Sequence, residues 1–248
     1  MKKLWQLISQ QHIRTVPGFK KLSYIDIETH LGKKDLLVCK SDMMWTPRFY
    51  PVTTLSQEFI SRTRKYHALT QWNDQHVLSF VELFVIEAIR DTTYQYKIAY
   101  IAHPMEHFPF HGVVDFLIYN NNKATNYFPF IPILLPTINT YTYLGDSYED
   151  MSIAGMYGCC KWFLEMSKVN NTNMKYIRCI QTNGHIWSLN EVSAEGMKKT
   201  KPIIPNCRYS LDKPSNLIIN DEEKMKSVIG LLRYGMQIQE NIVKLTES

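Results

Sequence analysis

The sequence predicts a mixed α/β domain with a central sheet flanked by helices, and three observations carry that prediction. A long amphipathic helix precedes three consecutive β-rich runs, a second helix separates them from an Asn-Gly hairpin, and a third helix closes the chain.

Residues 22–56 read as irregular, with short β-like pieces at 36–39 and 48–52. Over 72–90, Val77, Phe80, Val81, Phe84, Val85 and Ala88 follow helical spacing and put Glu82 and Glu87 near the polar edges. Two runs rich in β-branched and aromatic residues come next, 94–102 and 113–119. Asn120-Asn121-Asn122-Lys123 then predicts a turn before a third strand over 127–135. Over 146–168, Asp146, Glu149 and Asp150 at the start and Lys168 at the end complement a helix dipole. Its Ala154, Gly155, Gly158 and Cys159 would let that helix approach a sheet closely. Strands over 176–181 and 185–192 flank Thr182-Asn183-Gly184, a hairpin signal. A polar loop over 193–214 leads to a last helix over 221–245, with Asn220 as its N-cap.

With 248 residues, 45% of them hydrophobic, the chain can bury a core without disulfides or metals. No repeat, low-complexity tract or Gly/Ser linker divides it. The organisation read here is an N-terminal arm and irregular extension over 1–71 and an α/β domain with its C-terminal helix over 72–248. The five cysteines, Cys39, Cys159, Cys160, Cys179 and Cys207, have no CxxC pair and an odd count, which fits a reducing compartment. The formal charge of +5 is mild for a primarily electrostatic nucleic-acid binder. No apolar run approaches the roughly 18 to 20 residues of a membrane span, so no transmembrane segment is expected. The first 23 residues carry Lys2, Lys3, Arg14, Lys20 and Lys21 and no acid, with Leu4, Leu7 and Ile8 on one helical face. That pattern is similar to a mitochondrial import segment, and equally to a basic terminal arm.

Four segments then carry a resemblance. They are the helix with Glu82 or Glu87, the strand His111-Gly112-Val113-Val114-Asp115-Phe116-Leu117-Ile118, the strand and hairpin Ile177-Arg178-Cys179-Ile180-Gln181-Thr182-Asn183-Gly184-His185-Ile186-Trp187, and the helix segment Val228-Ile229-Gly230-Leu231-Leu232-Arg233-Tyr234. In this order, over roughly 72–234, the chain resembles the PD-(D/E)XK, or restriction-endonuclease-like, superfamily. It looks most like degenerate nuclease domains of the Crinkler-associated kind. The resemblance implies a core of helix, three-stranded meander, helix and strand. In the active family an acid and a lysine on the third strand join the strand-two aspartate to hold Mg²⁺ and orient water. Here Pro136 and Ile138 stand at those positions, and no charged residue lies between Lys123 and Asp146. Glu82, Glu87 and Asp115 are therefore expected to be vestigial, with no catalytic residue, cofactor or metal.

Other constellations carry less. His103, His107 and His111 recur every four residues around Glu106, but Pro104 and Pro109 oppose a helix, so they are expected as loop residues. Cys159 and Cys160 sit among small and apolar residues, where a thiol packs rather than reacts. Lys198, Lys199 and Lys201, with Arg178, Lys161 and Lys168, would form a basic surface, more simply a solvated face.

The expected function is that of a pseudo-enzyme acting as a structural, protein-binding subunit of a large complex. The setting expected is mitochondrial, a ribonucleoprotein such as the ribosome or a respiratory complex, and otherwise cytoplasmic. Interaction residues would be Lys2, Lys3, Trp5, Arg14, Lys20, Lys21, Lys198, Lys199 and Lys201, with RNA contact open and no small-molecule substrate. The alternatives are an Mg²⁺-dependent nuclease with a displaced lysine, Lys97 or Lys123, and a free nucleic-acid-binding module.

Overall fold

Alternation of aromatic and aliphatic residues after Arg90 folds into an antiparallel meander: β2 (Tyr94–Ala102), β3 (Gly112–Asn120) and β4 (Phe130–Leu134). This computed structural model describes residues 17–40, 43–45, 51–67, 74–120, 130–135, 145–170, 174–184, 187–193, 196–200 and 222–246. Helix α5 (Gly145–Val169) crosses from β4 to β5 (Tyr176–Thr182), which pairs parallel to it. The chain then returns through β6 (Trp187–Ser193) and β7 (Met197–Thr200), both antiparallel, and the two-residue β1 (Met44–Trp45) joins β7 in parallel. The sheet has seven strands in the order β1-β7-β6-β5-β4-β3-β2. The molecule is thus a mixed α/β fold.

Both faces of the sheet are covered. On one side lie α3 (Gln57–His67), α4 (Asp74–Ile89) and α6 (Glu222–Thr246), burying Phe59, Phe80, Phe84, Ile229 and Leu232 against Phe116, Ile133, Ile180 and Trp187. The helical spacing expected of α4 is obeyed, since Val77, Phe80, Val81, Phe84, Val85 and Ala88 are all buried. The Phe84 ring meets Phe59 at 5.0 Å, Phe80 at 5.1 Å and Trp187 at 5.1 Å, an aromatic cluster that ties three elements together. On the other side α5 packs Tyr157, Cys160 and Phe163 over Leu117, Ile177 and Cys179. Ala99, with φ of 51°, turns β2 between the two cores: Tyr96 packs on the α4 side, whereas Tyr100 stacks on Phe163 of α5.

Where it is described, the segment read from sequence as an irregular extension is largely helical. A 3-10 turn (Phe19–Lys21) leads into α1 (Tyr24–Leu31) and α2 (Lys33–Cys39), so the β-like piece at 36–39 is the end of a helix. Ser23 and Asp26 form a reciprocal capping box that starts α1, a local signal strong enough to nucleate a short helix. The second β-like piece, 48–52, lies mostly outside the described residues; Pro51 and Val52 are not in a strand. The loop expected over 193–214 contains β7. Ser193 and Gly196 close its turn through the Ser193 amide and hydroxyl, both donating to the Gly196 carbonyl. Asn220 and the remainder of that loop fall outside the described residues, as do 127–129 and the hairpin residues His185 and Ile186. The Asn-Gly turn itself is present, with Gly184 at φ of 85°.

Gly155 and Gly158 do not serve the sheet, as their sequence suggested. A Cβ on Gly155 would collide with the Phe19 carbonyl, and one on Gly158 would reach 2.5 Å from Leu22 Cδ1. Across the groove, a Cβ on Gly112 would sit 2.9 Å from the Phe19 amide nitrogen, and that amide donates to the His111 carbonyl at 3.1 Å. Three glycines therefore make a slot for residues 18–22. Phe19 and Leu22 are fully buried in it, so this end of the arm, residues 18–22, belongs to the core, contrary to what its composition implied.

Candidate functional site

Asp115 is the carboxylate on which the site is built. It sits in the middle of β3, only 7% exposed, in a strand whose other central residues, Val114, Phe116, Leu117 and Ile118, are buried and apolar. Its Oδ1 accepts from Lys20 Nζ at 2.5 Å and its Oδ2 accepts from the Leu135 amide at 2.8 Å. Burial raises the Asp115 pKa above the ordinary carboxylate value, outweighing the Lys20 charge and the hydrogen bonds that lower it. The Lys20 side chain is 30% exposed and shares its charge with water, which limits that compensation. The β3–β4 register pairs Phe116 with Ile133, so Leu134 falls beside Asp115 on the neighbouring strand. Leu134 and Leu135 are both buried and supply no acid. Pro136 and Ile138 lie outside the described residues.

The two glutamates of α4 have other partners. Glu82 accepts from the Tyr96 hydroxyl at 2.8 Å, and burial together with this bond pushes the phenol up to about 12. Glu87 is buried and accepts from the Ser56 amide at 2.8 Å and its hydroxyl at 2.7 Å, while pairing with Arg90 at 3.1 Å. Ser56 Oγ in turn accepts from the Phe59 amide, so Glu87 fixes the start of α3. Among the described residues, Glu82, Glu87 and Asp115 share no partner. Among the described residues no three His, Cys, Asp or Glu side chains converge as a metal site.

The remaining sequence candidates are dispersed. The β2–β3 connection keeps its histidines apart: the His103 carbonyl accepts from Trp162 Nε1 at 2.8 Å, His107 is exposed beside Glu106, and the His111 ring meets the Pro109 carbonyl at 3.3 Å. Cys159 and Cys160 are completely buried, and burial first of all raises both thiols well above their usual range, which keeps the nucleophilic thiolate from forming. Arg178, Lys161, Lys168 and Lys198, which the sequence offers as a basic surface or a solvated face, each pair with an acid. Arg178 is buried, gripped by Glu191 at 2.7 and 3.0 Å and flanked by the Tyr176 and Tyr234 rings at 5.2 and 5.3 Å. Lys198 pairs with the same Glu191, Lys161 with Asp35 and Lys168 with Glu165. Lys199 lies in β7 beside β1. Lys97, offered as a displaced catalytic lysine, stands over the Tyr119 ring at 5.2 Å. Lys21 is exposed, and Lys2, Lys3, Trp5, Arg14, Lys123 and Lys201 lie outside the described residues.

What sequence reasoning missed is the partner of Asp115. Lys20 was grouped with an arm expected to bind elsewhere, whereas it returns across 95 residues of chain to the buried carboxylate. The available signal was the pair Gly155 and Gly158 on a helix opposite the apolar Phe19 and Leu22. No family model matches the chain, and neither a curated protein nor a solved structure matches it.

Proposed function

We propose that this chain is a catalytically silent nuclease-fold protein that acts by binding, as a structural subunit of a larger assembly. The observation that carries the reading is the occupation of Asp115, whose two oxygens are taken by the Lys20 ammonium and the Leu135 amide. Mg²⁺ requires several convergent oxygens, and this single carboxylate, bonded to an ammonium on one oxygen and an amide on the other, does not supply them. The succession of α4, the β2–β3–β4 meander, α5 and β5 supports a restriction-endonuclease-like core, because it has the order of helix, meander, helix and strand. Leu134 beside Asp115 supports the loss of chemistry within that core. The acid-free, basic beginning of the chain supports a mitochondrial ribonucleoprotein or respiratory complex as the setting.

Affinity isolation of the tagged full chain at physiological salt, with mass spectrometry of what accompanies it, tests the proposal. The expected result is a stoichiometric set of subunits from one large assembly. Recovery as a free monomer would oppose it.

A further inference from the structure

Strands β2 and β3 leave one aliphatic face open on the side of the sheet that carries α4 and α6. Directly paired residues of an antiparallel ladder share a face, and Ile98 pairs with Phe116, which is buried on that side. At Ala99 the alternation reverses, so that Tyr100 and its partner Val114 turn toward α5. Ile101 and its partner Val113 therefore face the same way as Ile98. Ile98, Ile101 and Val113 are 44%, 55% and 43% exposed. Ile101 stands directly against Val113, and three residues of strand, about 10 Å, separate it from Ile98. No Lys or Arg occurs over 98–122, and Glu106, in the connection that closes this end of the hairpin, is 89% exposed.

The described chain begins at the same end. Its first residue is Pro17; a Cβ on Gly18 would lie 4.0 Å from the Gly112 Cα, and the Phe19 amide donates to the His111 carbonyl at 3.1 Å. Val113 follows directly. Residues 1–16 lie outside the described residues, and their sequence holds Leu4, Leu7 and Ile8 at helical spacing, with Lys2, Lys3 and Arg14 and no acid.

We propose that residues 1–16 dock on this face of their own chain, with Leu4, Leu7 and Ile8 against Ile98, Ile101 and Val113. Reach is sufficient, since sixteen residues span about 24 Å even when wound as a helix. A segment tethered beside its surface acts at an effective concentration of about millimolar, which favours it over a second copy or a free partner. Its positive charge suits a hairpin end whose one exposed charge is Glu106. The inference does not depend on the nuclease resemblance.

Limited trypsin digestion of the folded full chain, read by mass spectrometry as cleavage after Arg14, tests it, because such cleavage follows the population of the undocked segment. Leu4→Asp with Ile8→Asp should speed the cleavage at least about tenfold by removing the apolar contact. Ile101→Thr with Val113→Thr keeps β-branched residues in both strands and should also speed it. Combining the two pairs should add little, because either one releases the same segment. Ile98→Thr, at the other end of the face, should act in the same direction and replaces the strand pair if that pair lowers the Tm. Parental cleavage in the Leu4→Asp, Ile8→Asp chain, or acceleration by that pair with none from any strand change, would overturn the proposal. So would protection of Arg14 that rises with protein concentration, which would assign the face to a second copy.

Discussion

Lys20 and Asp115 are joined by a 2.5 Å ion pair that closes 95 residues of chain and fastens the N-terminal turn into the sheet. The same pair gives the central carboxylate of β3 a counter-charge that comes from a lysine of the chain itself. The aspartate in the middle of β3 is in this way tied to the N-terminal turn.

The raised Asp115 pKa has a definite consequence for stability against pH. Between the ordinary value of 3.8 and the higher folded value, the folded state holds more protons than the unfolded chain. The contribution of this group is fully present below 3.8 and is lost as pH rises through the folded pKa. Asp115→Asn should therefore gain on the parent as pH rises across that window. Urea titrations of both proteins at several pH values check this, and an Asp115→Asn stability that falls relative to the parent as pH rises would contradict it.

The slot for residues 18–22 ranks three substitutions. Gly155→Ala places a methyl against the Phe19 carbonyl, a backbone atom that cannot step aside, and should cost about 1–3 kcal/mol. Gly158→Ala presses on the tip of the Leu22 side chain, with the Phe110 ring at ordinary contact distance, and should cost less than a clash with backbone. Phe19→Ala should cost about 3–5 kcal/mol by emptying a fully buried site. Thermal melting of the three variants measures the ranking; a parental Tm for Phe19→Ala would remove the slot from the account.

Much of the scaffold is legible from sequence because its signals are local. The spacing from Val77 to Ala88 reports α4, β-branched and aromatic residues report both ends of β2, and Asn183-Gly184 reports the β5–β6 turn. The elements that escaped depend on distant partners. Met197-Lys198-Lys199-Thr200 looks like a solvated charged loop until β6 pairs with it, and α2 is a seven-residue helix that buries Cys39 among the residues packed around α5. For the site, Asp115 was legible as a lone acid in an apolar strand. Its neutralisation by Lys20 was not, since nothing in the local sequence links positions so far apart.

The α4 glutamates should behave as structural groups of unequal weight. Glu87→Gln removes the charge from a buried acceptor of two Ser56 donors and an Arg90 pair, and should cost about 1.5–3 kcal/mol. Glu82→Gln alters one bond to a half-buried phenol and should cost about 1 kcal/mol or less. Chemical denaturation separates them. The reverse order would mean that Glu82, not Glu87, anchors α4 to its surroundings.

A cleavage assay on the purified full chain, with single- and double-stranded DNA and RNA in Mg²⁺ and in Mn²⁺, tests most directly whether this fold binds without catalysing. With the Asp115 carboxylate held by Lys20 and Leu135 and with Leu134 beside it, no metal-dependent cleavage should occur in any combination. Cleavage that requires the metal and disappears in Asp115→Asn would contradict the account.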